Sequence, residues 1–155
     1  MRPSRALFII IFFILGNGML EDFIEVNCLK AELIDKAIFG QNAAKCKLII
    51  REPTSLKPLL IVHLLKDDVS IEKISKLFPG AELKEPKAKE VFYITGYRDG
   101  YLPPISIYGV IVLIDKKAAQ REKLDILVGD ERTLEISIDE IKKANDECVV
   151  CDVTW

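Results

Sequence analysis

The stretch that most constrains the fold is Leu59-Leu60-Ile61-Val62-His63-Leu64-Leu65, an almost wholly apolar run broken by one histidine. A run this short, bounded by polar segments, reads as a central strand buried on both faces rather than as a helix. A sheet covered on both sides needs further layers, and the chain has the material for them. Half of its 155 residues are apolar and 30% are charged, enough for one sizeable core and too little for two. His63 inside the run is expected to be a satisfied core histidine rather than a catalyst.

Helical and extended patterns alternate around this centre. Leu20, Phe23, Ile24 and Asn27-Cys28 have helical spacing. Residues 30–34 and 46–50 read as strands. Ser70 caps a helix with a buried stripe of Ile71, Ile74, Leu77 and Phe78, which Pro79-Gly80 stops. Pro86 fits the first turn of a second helix carrying Val91, Phe92 and Ile94, with Gly96 as its terminator. Residues 110–114 form a β-branched strand, and residues 124–128 and 134–137 a hairpin around Gly129-Asp130-Glu131-Arg132. Ser137-Ile138-Asp139-Glu140 is a capping box for a helix reaching Ala144, and residues 148–153 make the last strand. The predicted class is α+β: a curved, barrel-like mixed β-sheet of six to seven strands with three or four short helices.

The N-terminus is a separate problem. Arg2 and Arg5 precede an apolar run over residues 6–15, then Gly16-Asn17-Gly18. The arrangement resembles the n- and h-regions of a signal peptide and is short for a membrane span. No small-x-small cleavage site follows, and Met19 opens a well-formed amphipathic segment. Residues 1–18 are therefore expected to be a misplaced start or a dispensable extension, with a membrane anchor through residues 6–15 as the alternative. Residues 19–155 are expected to form one domain.

Charge and cysteine usage narrow the chemistry. A net charge of −2 and a pI near 5.5 argue against nucleic-acid binding driven by bulk charge and leave a local basic patch open. Cys148 and Cys151 form a CxxC within a strand-like segment, where a period of two puts them on opposite faces. With Cys28 and Cys46 they read as ordinary cysteines, not a zinc site or a redox pair. The GxSxG, HExxH, GxxxxGK[ST] and GxGxxG patterns are missing, and the lone histidine sits in the apolar run. A protein nucleophile with its own base is not expected, and neither is a metal or cofactor.

One loop stands out: Thr95-Gly96-Tyr97-Arg98-Asp99-Gly100-Tyr101-Leu102-Pro103-Pro104, set between a helix end and a buried strand. Its glycines permit positive φ and its prolines fix φ, so it can hold a shape that exposes backbone N–H groups. With Ile94 before it and Val110-Ile111-Val112-Leu113-Ile114-Asp115 after it, this loop resembles the signature of the YbaK/prolyl-tRNA-synthetase-associated editing domain family, a T-G-Y segment, a Gly-x-x-x-Pro loop and an apolar strand ending in Ile-Asp. Gly100 and Pro104 fill the Gly-x-x-x-Pro positions. Residues 126–136, Ile-Leu-Val-Gly-Asp-Glu-Arg-Thr-Leu-Glu-Ile, resemble the family's second block, with Gly129-Asp130 where a Gly-Gly pair is common. Lys45, in Ala43-Ala44-Lys45-Cys46-Lys47, matches the lysine before the family's first long strand, and Lys47 is the alternative register. The segment ahead of it, Ile38-Phe39-Gly40-Gln41-Asn42, is shorter than the family's usual helix.

The resemblance implies a trans-acting, cytoplasmic aminoacyl-tRNA deacylase that hydrolyses the ester of mischarged tRNA. Its partners are then the acceptor end of that tRNA and an aminoacyl-tRNA synthetase. The implied catalytic residues are Lys45, Gly100 and Pro104. Backbone N–H groups of the loop polarise the carbonyl, and Lys45 (or Lys47) binds phosphate near the terminal adenosine. Groups on the tRNA itself assist the attack. The implied substrate-binding set is Lys47, Gly96, Tyr97, Tyr101, Pro103, Asp115, Gly129 and Asp130. A non-catalytic relative that binds aminoacyl-tRNA or a synthetase, and a membrane-anchored extracytoplasmic binding domain, are the alternatives.

Overall fold

The computed structural model describes residues 18–155, so the N-terminal apolar run and the choice between anchor and misplaced start lie outside the described residues. The apolar run forms strand β3 (Leu59–Leu64), buried along its whole length. It sits in the middle of a curled, mixed half-barrel sheet. The strand order is β1 (Ala31–Ile34), β7 (Arg132–Ser137), β6 (Lys123–Gly129), β2 (Ala43–Glu52), β3, β5 (Ile111–Asp115) and β8 (Cys148–Cys151), with β4 (Glu82–Lys84) paired onto the far end of β2. The β2–β6, β3–β5 and β5–β8 pairs are parallel and the others antiparallel.

Side-chain alternation along β3 explains its composition. Leu60, Val62 and Leu64 point into the curl, while Leu59 and Ile61 face the outer side. The inner core gathers Leu48 of β2, Ile126 of β6, Leu20 of helix α1 (Met19–Val26), Val91 of α3 (Ala88–Thr95) and Ile141 of α5 (Ile138–Lys143). The outer core is smaller and is closed by Ile74 of α2 (Ile71–Leu77) and by Val153. Burying each Leu or Ile contributes about 1.5–3 kcal/mol, so two-sided burial holds β3 at the sheet centre. Cys148 packs against the inner core and Cys151 against the outer, the opposite-face placement predicted from spacing.

Local signals acted largely as their chemistry demands. The Ser70 hydroxyl caps α2 by accepting from the Lys73 amide at 3.2 Å, and Gly96 ends α3 in the left-handed region at φ 80°. Three expectations need correction. Pro86 lies outside α3: the Glu90 carboxylate accepts from the Lys87 amide at 3.2 Å, which sets the helix start at Ala88. The Ser137 box is only half formed, because Ser137 accepts from the Glu140 amide at 3.1 Å while the Glu140 carboxylate accepts from the Lys30 amide at 3.0 Å, anchoring the approach to β1. Strand β4 and the one-turn helix α4 (Lys116–Ala119) were not foreseen; both are too short to show a period.

Among the described residues no group of three or more His, Cys, Asp or Glu side chains is arranged to hold a metal ion. No helix among them is long and apolar enough to cross a membrane.

Candidate functional site

The loop after α3 is pinned at many points. The Thr95 hydroxyl donates to the Val91 carbonyl at 2.7 Å and accepts from the Tyr97 amide at 3.0 Å. The Tyr97 hydroxyl donates to Ser106 Oγ at 2.8 Å, and burial pushes this phenol up to about 12. A turn follows, closed by the Tyr101 amide on the Arg98 carbonyl at 3.0 Å, with Gly100 at φ 89°. Leu102 and Ile105 are fully buried in the inner core, with Pro103 and Pro104 buried between them. Asn145, just past α5, donates to the Pro104 carbonyl at 2.9 Å and to the Ile141 carbonyl at 2.8 Å.

The same loop is fastened to the β6–β7 turn, so the two sequence blocks meet in space. The Tyr101 hydroxyl donates to the Asp130 carboxylate, which raises the phenol's pKa. The Arg98 guanidinium lies 5.1 Å from the centre of the Tyr101 ring and 3.9 Å from Asp130. Gly129 sits at a close approach: a Cβ there would stand 3.1 Å from Arg132 Cβ, a tight contact that Arg132 would have to yield to. Asp130, in place of a second glycine, therefore supplies a clasp for the loop.

Sorting the loop amides identifies what a ligand can reach. The Gly96 amide donates to the Phe92 carbonyl at 2.8 Å, which makes Gly96 a helix terminator. The amides of Tyr97 and Tyr101 are likewise committed to Thr95 and Arg98. Among the described residues nothing accepts from the amides of Arg98, Asp99, Gly100 and Leu102, and a Cβ built at Gly100 meets no atom within 4 Å. The backbone at Gly100 is thus held in shape beside open space.

The lysines lie elsewhere. Lys45 and Lys47 alternate with Cys46 and Leu48, and it is Cys46 and Leu48 that join the inner core with Leu102 and Ile105. Strand alternation therefore sets both lysines on the opposite face of β2 from the loop. Lys47 is paired with Glu85 at 2.7 Å. The ammonium of half-buried Lys45 has no hydrogen-bond or ion-pair partner among the described residues. It stands opposite His63 in the β2–β3 register. His63 is buried, its Nδ1 lies 2.8 Å from the Leu64 carbonyl, and burial lowers its pKa, so it is a neutral core histidine.

Asp115, expected to bind substrate, is fully buried, and its carboxylate accepts from the Val153 amide at 3.1 Å, the Thr154 hydroxyl at 3.0 Å and the Lys117 amide at 3.2 Å. It caps α4 and ties down the C-terminal segment.

One feature went unseen in the sequence. Where Ala43 and Leu65 meet at the ends of β2 and β3, a cleft of about 510 Å³ opens, lined also by Phe39, Gly40, Gln41, Lys66 and Arg121. The signal was a lone aromatic in a short polar turn, Phe39-Gly40-Gln41, which carries no period.

Together, the curled sheet, the pinned Gly-x-x-x-Pro loop and its clasp to the second block define an editing-type domain. A family model, Aminoacyl-tRNA editing domain, matches residues 33–144, and the chain belongs to that family. Solved structures share the fold. A crystal structure of a hypothetical protein is 20% identical with a TM-score of 0.74, covering 89% of this chain and 100% of that one. A candidate trans-editing enzyme for prolyl tRNA synthetase is 15% identical with a TM-score of 0.75, covering 88% of this chain and 95% of that one. A signal transduction protein candidate from Marinobacter aquaeolei contains the fold within a longer chain: TM-score 0.66, 12% identity, 88% of this chain and 30% of that one. A search of curated proteins gives no match.

Proposed function

We propose that this chain is a trans-acting deacylase of mischarged aminoacyl-tRNA, with residues 19–155 as its single editing domain and the cytoplasm as its place of work. The observation that carries the reading is the Gly100 amide, which with those of Arg98, Asp99 and Leu102 has no acceptor among the described residues, at a position where a built Cβ meets no atom within 4 Å in a loop fixed at both ends. In this reading the amide donates to the carbonyl oxygen of the aminoacyl ester and stabilises the negative charge that develops on it. Water adds to the carbonyl carbon, the ester C–O bond breaks, and the ribose oxygen takes up a proton, releasing free amino acid and tRNA. A hydroxyl of the terminal ribose orients the water, which agrees with a chain whose one histidine is buried and neutral. An ester is activated enough for positioning and carbonyl polarisation to supply much of the acceleration.

Tyr97, Tyr101, Pro103, Pro104, Gly129 and Asp130 keep the loop in shape in this scheme. Lys45, cationic and unpaired on the other face of β2, serves the RNA backbone away from the ester, and Lys47, engaged by Glu85, is the weaker choice. The prolyl system named for one structural relative makes misacylated forms of tRNA(Pro) a natural start for an assay panel, with a synthetase as the coupled partner. Purified protein incubated with mischarged tRNAs should release the amino acid from at least one of them. Binding without hydrolysis across the panel would make the chain a non-catalytic relative.

A further inference from the structure

The cleft at the ends of β2 and β3 has the chemistry of a single-stranded RNA site. Phe39 presents 67% of its surface to solvent at its rim. The platform that carries it is fixed: the Ile38 amide donates to Thr133 Oγ1 at 3.1 Å, that hydroxyl donates to the Lys36 carbonyl at 2.7 Å, and the Ala43 amide closes the turn on the Gly40 carbonyl at 3.1 Å. Fixing an exposed ring in advance lowers the ordering cost of stacking another ring on it.

Two cations share the cleft, Lys66 after β3 and Arg121 after α4. Neither forms an ion pair among the described residues, whereas the neighbouring Asp67 carboxylate is already met by Lys117 at 3.3 Å. Two residue pairs along the strands, on the same face, stands the unpaired Lys45. An aromatic platform beside a line of unpaired cations fits a base stacked over a ring, with flanking phosphates on the lysines and arginine. It also reconciles an acidic chain with an RNA ligand, because the positive charge is local.

We infer that this cleft binds an unpaired nucleotide of the RNA substrate, its base stacked on Phe39 and its phosphates held by Lys66 and Arg121. The inference rests on the deacylase reading for the identity of the RNA, and it adds a second point of grip on the far side of the sheet from the Gly100 loop. The probe is fluorescently labelled uncharged tRNA, with a short unstructured RNA alongside, titrated by anisotropy over a salt series.

Phe39→Ala should weaken binding about 10-fold. The double variant Lys66→Ala/Arg121→Ala should weaken it further and lower the slope of log K against log salt by about 1.4. Phe39 and Lys66 are exposed and Arg121 is half-buried, so thermal unfolding should stay close to that of the parent chain. Parent-like affinity in Phe39→Ala, or an unchanged salt slope in the double variant, overturns the proposal. A chain that binds RNA through this cleft and hydrolyses no ester keeps the cleft and loses the deacylase. A chain whose variants deacylate with unchanged KM keeps the deacylase and loses the cleft.

Discussion

Replacing Gly100 by Ala separates a folding role of the loop from a chemical one. The φ of 89° lies in the left-handed half of backbone space, where an L side chain costs roughly 1–2 kcal/mol. No steric penalty adds to it, because the new methyl meets no atom within 4 Å. Stiffening of the unfolded chain returns about 0.4–1 kcal/mol, leaving a net loss near 1 kcal/mol. For a domain of this size that is a fall in Tm of about 3 °C. The consequence for chemistry is larger. The methyl would occupy the space beside the Gly100 amide, and loss of one carbonyl-binding donor costs on the order of 100-fold in rate. Thermal unfolding and single-turnover deacylation, measured on the same preparation, test both figures. Parent-like deacylation in a variant that stays folded would refute the assignment of this amide to the carbonyl.

Further outcomes follow from neighbouring residues. Asp115→Asn removes charge from a buried acceptor that takes three donors, and urea unfolding should register a loss of about 3 kcal/mol; unchanged stability with lost activity would return Asp115 to the substrate. His63 has its pKa lowered by burial, so below its ordinary value of 6.5 the unfolded chain takes up a proton that the folded chain resists. Stability should be full above that pH and fall as the pH drops toward the folded group's own pKa. Unfolding at a series of pH values, compared with His63→Gln, should show a flatter profile in the variant. Lys45→Ala should weaken tRNA-dependent activity more than Lys47→Ala, whose cation is neutralised by Glu85; the reverse order, read as kcat/KM, would reassign the family lysine.

Features with strong local chemistry were legible in the sequence. The run at β3 announced a sheet covered on both faces, Ser70 and Gly96 marked helix ends, and the two glycine-bearing blocks marked out the candidate site. Their meeting was not readable, because it depends on the Tyr101–Asp130 contact between residues far apart in the chain. The burial of Asp115 was hidden for a similar reason: two of its donors come from the C-terminal segment, and an acid at a strand end looks the same whether buried or solvated. Alternation along β2 was visible all along, yet which face held the loop required the packing of Leu102 and Ile105. The cleft at Phe39 lay in a turn without period, where only the fold reveals what stands across from it.

The most direct test of the account is release of amino acid from a panel of mischarged tRNAs by the purified chain at neutral pH. The account predicts catalytic hydrolysis of at least one ester, without added metal, abolished or reduced on the order of 100-fold by Gly100→Ala. Tight binding of the panel with every ester left intact would contradict it.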